Sequence, residues 1–199
     1  HPEGVSVTGL GQRVKENTEV EVTCDVSRVK PAADIYWRKG PDGPLQTGTT
    51  SSGLNQHNKT FHLQSIYKVS FSRSDHNTTL YCLVTQPGDK TDVIASHTVN
   101  VEYPPSTAVT HTSLRKPIEG SSLTLTCDVT DGNPGGYIKP VTWRNGDVKL
   151  SPSDHYQLSD NVLTISSLNH TLDDGDYSCA ARNDAGIGDF SAQFQLQIN

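Results

Sequence analysis

The chain has 199 residues, of which 16 are basic, 22 are acidic and 33% are hydrophobic, and its formal net charge is −6. This length suits one large domain or two of roughly 100 residues. The negative charge argues against binding to nucleic acid, and no run of about 18 apolar residues is present that would insert into a membrane. The low apolar content indicates small hydrophobic cores that need stabilisation by disulfide bonds.

The first clear element is EVEVTCDV at 19–26, in which valines and Cys24 alternate with polar residues. A period of two predicts a strand with one buried and one solvated face. The next element, DIYWRK at 34–39, places Ile35 and Trp37 inward by the same alternation. Its other residues, Tyr36 and Arg38, are therefore predicted to point outward.

The stretch SDHNTTLYCLV at 74–84 contains the second cysteine of the first half. Alternation around Cys82 turns Leu80 and Val84 inward, so Tyr81 and Leu83 are predicted to point outward. The motif VEYPPS at 101–106 follows, and its two prolines end the last strand of this half. We therefore expect one domain at 1–103 and a second at 104–199.

The second half repeats the plan of the first. SLTLTCDV at 122–129 and PVTWRN at 140–145 again alternate, with Val141 and Trp143 inward. LDDGDYSCAARNDAG at 172–186 contains the last cysteine, and no long segment has a helical period. The final strand, FSAQFQLQI at 190–198, is predicted to bury every second residue: Phe190, Ala192, Phe194, Leu196 and Ile198.

Each half contains one cysteine, one tryptophan and a second cysteine, and together they use all four cysteines and both tryptophans. Metal binding would favour close Cys-x-x-Cys pairs, and none occurs. Four cysteines allow three pairings. The repeat selects one bridge per half, Cys24–Cys82 and Cys127–Cys179.

The order Cys24, Trp37, Cys82 and its repetition as Cys127, Trp143, Cys179 resemble the immunoglobulin fold. The resemblance implies an all-β fold of two immunoglobulin-like β-sandwiches in tandem. In the second half, Tyr177 stands two residues before Cys179, as in the tyrosine corner of that fold, and the tail CAARNDAGIG resembles the I-set.

The first half differs at the same place, because Leu80 replaces the corner tyrosine. This variant resembles the C2-type domains of nectins, nephrin and their relatives. Asn77 stands where that variant usually has glycine, and asparagine tolerates left-handed backbone angles better than most residues. We therefore expect a hydroxyl-to-backbone lock in the second domain only.

Motifs for catalysis are absent, and we expect no enzyme, no cofactor and no metal. Two Ser-Asp-His triplets, at 74–76 and 153–155, cannot form a catalytic triad from consecutive residues, and are interpreted as polar turn residues. The acidic run of Asp173, Asp174 and Asp176 is interpreted as solvated carboxylates in a turn rather than a calcium site.

Three Asn-x-Ser/Thr sequons begin at Asn58, Asn77 and Asn169. Together with paired cysteines they favour an extracellular protein, either secreted or at the cell surface. We expect glycosylation at all three sites, with Asn77 and Asn169 in the turns that precede the second cysteine of each half.

The outward residues Tyr36, Arg38, Tyr81 and Leu83 are predicted to share one face of the first domain. Tyrosine and arginine are common at binding hot spots, so this face is a candidate protein-binding surface, with a second copy of the chain as one candidate partner. The alternative is that a neighbouring domain or loop covers these residues, or that they are ordinary strand formers.

The resemblance to nectin- and nephrin-type domains implies an adhesion or recognition ectodomain. Two other functions remain open: a secreted immune recognition molecule for glycan or microbial ligands, and the sensor module of a receptor kinase or phosphatase.

Overall fold

A computed structural model describes residues 3–88, 93–112 and 116–199. The chain divides into two compact units, His1–Glu102 and Tyr103–Asn199, which we call domain one and domain two. This division falls one residue before the junction predicted between residues 103 and 104. Within the described ranges, no helix has the length and apolar character needed to cross a membrane.

The described residues of domain one form strands and one short 3-10 turn, Arg73–Asp75. Its strands are β1 (Glu3–Thr8), β2 (Val14–Lys15), β3 (Glu19–Val29), β4 (Asp34–Lys39), β5 (Thr49–Asn55), β6 (Thr60–Ser70), β7 (Thr79–Thr85), β8 (Val93–Thr98) and β9 (Val101–Glu102).

These strands form the two sheets of a sandwich, in the orders β1-β3-β6-β5 and β4-β7-β8, with β2 and β9 as a parallel pair. The Cys24–Cys82 bridge connects β3 in one sheet to β7 in the other, across a Cα–Cα distance of 6.3 Å. Trp37 is fully buried, and its indole Nε1 donates to the Ser65 hydroxyl at 3.0 Å. The core therefore forms where alternation predicts it.

Domain two has a similar order of elements and one short helix, α1 (His170–Asp173). Its strands are β10 (Ser106–His111), β11 (Leu123–Thr130), β12 (Ile138–Asn145), β13 (Val148–Lys149), β14 (Tyr156–Ser159), β15 (Val162–Ile165), β16 (Gly175–Asn183), β17 (Gly186–Ile187) and β18 (Phe194–Leu196).

Its sheets have the orders β10-β11-β15-β14 and β13-β12-β16-β17, and β18 also pairs with β16. The Cys127–Cys179 bridge joins β11 to β16, with its Cα atoms 6.1 Å apart. Val141, Trp143 and Tyr177 are buried around this bridge. The all-β prediction and the tandem of two sandwiches are thus confirmed.

The prediction for residues 190–198 is partly wrong. Leu196 and Ile198 are buried and Phe194 packs against the core, but Ala192 is exposed and Phe190 is only half-buried. The reason is that regular pairing in this segment covers only β18 (Phe194–Leu196). Upstream of it the backbone is not a strand, so a period of two no longer decides which side a residue faces.

Candidate binding face

The outer face of the β4-β7-β8 sheet in domain one is organised in cross-strand rows. Tyr36 on β4 is opposite Leu83 on β7, which is opposite Ile94 on β8. In the next row Arg38 is opposite Tyr81, which is opposite Ser96. Directly opposed residues on one face have Cβ atoms about 5 Å apart, so each row is a line of touching side chains.

The prediction that Leu83 is exposed is wrong, because only 5% of its surface is accessible. Its phase is outward as predicted, but β7 is the central strand of this sheet. Leu83 therefore lies between two large neighbours, Tyr36 on one side and Ile94 on the other. Alternation gives the direction of a side chain but not how far its neighbours in the sheet cover it.

Ile94 is a residue of this face that the sequence reasoning missed. Half of its surface is exposed, and β8 alternates between half-buried and exposed positions. The signal was available, because VIASHT at 93–98 places Ile94 in the same phase as the exposed Ser96 and Thr98. An exposed isoleucine beside Leu83 extends the apolar part of this face to the third strand.

Arg38 and Tyr81 interact with each other. The Arg38 Cζ lies 5.3 Å from the centre of the Tyr81 ring, within the range of a cation–π contact. Both side chains are half-buried. The Arg38 Nε is buried and has no hydrogen-bond partner among the described residues. We name Tyr36, Arg38, Tyr81 and Ile94, with Leu83 at their centre, the domain-one face.

The corresponding face of domain two is more fully packed by its own chain. Ser178 and Ala180 on β16 are buried, although they alternate with the core residues Tyr177, Cys179 and Ala181. Arg144 on β12 stacks on Phe190, with its Cζ 3.9 Å from the ring centre. Phe190 lies on this outer side because its segment leaves the regular strand pattern. In domain two, residues of the same domain therefore cover the outer face of this sheet, whereas in domain one that face remains partly exposed.

The interpretation of Asp173 as a solvated turn residue is also wrong, because this carboxylate is fully buried. Its oxygens lie 2.8 Å from the Tyr156 hydroxyl, 2.9 Å from the Asn169 backbone N–H and 2.8 Å from His155 Nε2. His155 belongs to one of the two Ser-Asp-His triplets interpreted as polar turn residues, and it too has a definite partner. No sequence spacing indicates that these segments converge.

The tyrosine corner is present in domain two. The Tyr177 hydroxyl donates to the Asp173 carbonyl at 3.0 Å. Burial, together with the nearby Tyr156 and Asp173, raises the pKa of Tyr177 well above its ordinary value. Burial and the bond to Asp173 raise the pKa of Tyr156 to about 12. In domain one, Leu80 is buried at the equivalent place and has no hydroxyl to donate.

The three sequons differ in local structure. Asn58 is exposed in the turn between β5 and β6, and its Oδ1 accepts from the Thr60 hydroxyl at 2.7 Å. Asn77 is exposed, with a φ of 65° in the left-handed region, in the turn before β7. Asn169 is half-buried and caps α1 through a bond from the Thr171 N–H. Glycosylation of these residues stays a prediction.

Comparisons with known proteins match each domain to a family. Residues 5–93 match the CD80-like C2-set immunoglobulin domain, and residues 107–198 match the immunoglobulin I-set domain. The chain belongs to the immunoglobulin superfamily. Its C2-set domain is the one with Leu80 and the open face, and its I-set domain is the one with the tyrosine corner.

Similar full-length proteins are adhesion molecules. The chain is 32% identical over 199 residues to cell adhesion molecule 2 of Rattus norvegicus, covering 100% of this chain and 44% of that protein. It is also 32% identical over 203 residues to cell adhesion molecule 3 of Xenopus laevis, covering 100% of this chain and 48% of that protein. The two immunoglobulin domains thus span about half the length of these relatives.

A solved structure of the same kind is also similar. The crystal structure of the full ectodomain (Ig1–Ig3) of mouse nectin-like molecule 4 matches with a TM-score of 0.60 and 27% identity. The match covers 99% of this chain and 64% of that one. Similarity to adhesion-molecule ectodomains implies an extracellular or cell-surface location for this chain, and it suggests that its partners are proteins.

Proposed function

We propose that this chain is part of a cell adhesion ectodomain and that the domain-one face binds a protein partner. The observation that carries the proposal is the row Tyr36–Leu83–Ile94 beside the stacked pair Arg38–Tyr81. It combines a buried apolar centre with aromatic and arginine side chains at its border. This composition is typical of binding hot spots.

The contrast with domain two supports the assignment to domain one. In domain two the stacking partner of Arg144 is its own Phe190, and the central strand is already buried. The Nε of Arg38 and the Nε of Arg144 are both buried without a partner among the described residues, so the two domains differ in what covers the arginine and not in this unsatisfied group. A partner carbonyl or carboxylate that accepts from this group would remove the cost of leaving it unsatisfied.

A second copy of the chain is our first candidate partner. Two copies of one face can meet about a two-fold axis, so that if one residue contacts a second residue across the interface, the second contacts the first in the same way. Tyr36 and Ile94 would then supply apolar contact area, while Arg38 and Tyr81 would supply directional contacts. The relatives named as cell adhesion molecules favour adhesion over the immune-recognition and receptor-sensor alternatives.

Three further proposals accompany this function. Asn58, Asn77 and Asn169 carry glycans when the chain is made in a eukaryotic secretory pathway. The functional domains are 1–103 and 104–199, with the prolines of VEYPPS between them. The role of the chain is binding and not catalysis, with no cofactor.

The test is bead aggregation with the secreted, glycosylated chain, comparing wild type with Arg38→Glu and Tyr81→Ala. We expect both variants to lose aggregation, because truncating a hot-spot residue costs about 2 kcal/mol or more. Arg182→Glu is the matched control, because Arg182 is an exposed arginine on β16 of domain two. It is a better control than Arg144, which stacks on Phe190.

Thermal unfolding of each variant separates loss of binding from loss of fold. If wild-type beads do not aggregate, the same variants are tested against beads that carry the ectodomain of cell adhesion molecule 2. Normal binding by the folded Tyr81→Ala and Arg38→Glu variants would overturn the assignment of the face. Loss of binding by Arg182→Glu alone would move the site to domain two.

A further inference from the structure

Strand β5 of domain one has an unusual surface. It runs from Thr49 to Asn55 with the sequence TTSSGLN, and all seven residues are exposed. It is the last strand in its sheet and pairs with β6 along its whole length without a register shift. A strand at the end of a sheet presents backbone N–H and C=O groups that no neighbouring strand satisfies.

Proteins usually protect such edges with charges, prolines, bulges or very short strands. The opposite edge of the same sheet follows this rule, because the pairing of β1 has a register shift between Glu3 and Val5. In domain two the edge strand β14 has only four residues. Strand β5 has none of these features: it is regular, and it contains no charged residue and no proline. The edge strands β8 and β10 are similar in this, but each has six residues, some of them half-buried, whereas β5 has seven and all are exposed.

We infer that β5 pairs antiparallel with β5 of a second copy of the chain, about a two-fold axis through Ser52. Ser52 is the middle residue of the strand, so this register opposes Thr49 to Asn55 and Ser51 to Gly53. It joins two four-stranded sheets into one continuous sheet across both copies. In this arrangement the free backbone N–H and C=O groups of β5 in one copy bond the C=O and N–H groups of β5 in the other.

Charge permits another β5 as the occupant. Residues 1–102 contain 10 basic and 11 acidic residues, so a net charge of −1 leaves little repulsion between two copies of domain one. The β5 edge is neutral over its full length, and its side chains are mainly small hydroxyls. Serine and threonine opposite one another form favourable cross-strand pairs. Gly53 leaves further room, because a Cβ at that position would meet no atom within 4 Å.

This contact leaves the domain-one face free. Strand β5 belongs to the sheet β1-β3-β6-β5, whereas the face lies on β4-β7-β8. Asn58 is three residues beyond the end of β5, so a glycan there would border the end of the paired strands and not their centre. The inference therefore does not depend on the proposed function.

Site-directed cross-linking tests the register. All four native cysteines are in bridges and none is free, so an introduced cysteine is the single thiol of the chain. In the proposed register the two copies of Ser52 face each other, with Cα atoms about 5 Å apart, which is within disulfide range. We expect Ser52→Cys to form a reducible dimer in air. The two copies of Thr49 would be about 20 Å apart, so Thr49→Cys should not form one.

Sedimentation equilibrium provides a second measurement. In the Tyr81→Ala background, which removes contacts through the domain-one face, the chain should still dimerise with increasing concentration, and adding Ser52→Lys should make it monomeric because two lysines then meet at the axis. Ser6→Lys is the control, because Ser6 is an exposed serine on β1, at the opposite edge of the same sheet. Equal cross-linking of Ser52→Cys and Thr49→Cys, or none by either, would refute the pairing. The double variant Ser52→Cys with Tyr81→Ala should cross-link as Ser52→Cys alone does, so a failure of the domain-one face would be seen separately.

Discussion

The two domains fix the same turn, the one that leads into the disulfide strand, by different means. In domain two the turn contains α1, and the buried Asp173 accepts from the Tyr156 hydroxyl and the Asn169 backbone N–H. Its carbonyl accepts from the Tyr177 hydroxyl. These groups lie inside the domain, where an unsatisfied donor or acceptor is costly.

In domain one the turn contains the 3-10 segment Arg73–Asp75 and is fixed by ion pairs. The Arg73 guanidinium donates to both carboxylate oxygens of Glu16, at 2.8 and 3.0 Å. The Asp75 carboxylate accepts from the Lys39 ammonium at 2.9 Å and from the Ser72 N–H at 2.8 Å. Arg73 and Lys39 each keep 39% of their side-chain surface in solvent.

One point of geometry is shared. In each turn a carboxylate accepts the backbone N–H of the residue that precedes the helical segment, Ser72 in domain one and Asn169 in domain two. The rest of the turn differs in how far it is buried. The stability of domain two therefore depends on a few buried hydrogen bonds from neutral donors. The stability of domain one depends on partly exposed ion pairs, so it varies with pH and salt.

The largest expected effect comes from Asp173→Ala. Removing the carboxylate leaves the Tyr156 hydroxyl and the Asn169 N–H without their acceptor inside domain two. Breaking such a buried group costs about 3 kcal/mol, which lowers the melting temperature by about 12 °C. Hydrogen exchange, measured by mass spectrometry on peptides from each domain, checks this destabilisation. We expect protection to be lost in domain two and retained in domain one.

Asp184→Asn is the control for this variant, because Asp184 is an exposed aspartate at the end of the same region. If Asp173→Ala leaves domain two as protected as Asp184→Asn does, the buried carboxylate does not hold the turn and the contrast between the domains fails.

A smaller effect is expected from Tyr177→Phe, which keeps the ring and removes the hydroxyl. Domain two should lose about 1 kcal/mol at neutral pH, the usual net value of one hydrogen bond. The pKa of its neighbour Tyr156 is raised from 10.0 to about 12, so the neutral tyrosines contribute stability that is fully present below pH 10 and lost as pH rises toward 12.

The difference between Tyr177→Phe and wild type should therefore shrink above pH 10. Denaturant unfolding at pH 7 and pH 11 measures it, with Tyr137→Phe as the control in the same domain. A deficit that is the same at both pH values would show that the hydroxyl is not part of a titrating network.

The smallest effect is expected from Glu16→Gln in domain one. The hydrogen bond from Arg73 lowers the pKa of Glu16 below its ordinary value. Burial alone would raise the pKa of Asp75, but bonds from Ser72 and Lys39 outweigh it and lower that pKa too. Lowered pKa values contribute stability that is present above about pH 4.5 and lost as pH falls through the folded values.

Because Arg73 is partly exposed, solvent screening keeps the loss for Glu16→Gln below about 1 kcal/mol at pH 7. The difference from wild type should decrease as the pH falls below 4.5, and it should decrease in high salt. Unfolding curves at pH 7 and pH 3, followed by domain-one peptides in hydrogen exchange, check this. If Glu16→Gln lowers the free energy of unfolding by the same amount at pH 3 as at pH 7, the loss comes from altered packing and not from the ion pair.

Much of this fold could be predicted because alternation and the repeated cysteines are local signals. The inward residues of β3 and β4 follow from a few neighbouring positions. The bridges, which span 58 and 52 residues, follow from the repeated order of cysteines, and the tyrosine corner follows from the resemblance to the immunoglobulin fold.

The errors have a common cause in contacts between distant segments. Leu83 is buried by neighbours on two other strands, and Asp173 by His155 and Tyr156 from a preceding loop and strand. Phe190 leaves its expected side because the strand begins only at Phe194. Such contacts depend on the register between segments, which a pattern within one segment does not reveal.

The two tryptophans give the protein a built-in pair of optical and magnetic reporters. Each domain contains one, next to its disulfide, and both are buried. The Trp37 indole N–H is bonded to Ser65, whereas the Trp143 indole N–H has no partner among the described residues. An NMR spectrum should therefore contain two indole signals at separate positions, one per domain, that follow the unfolding of each domain in the intact chain without any label.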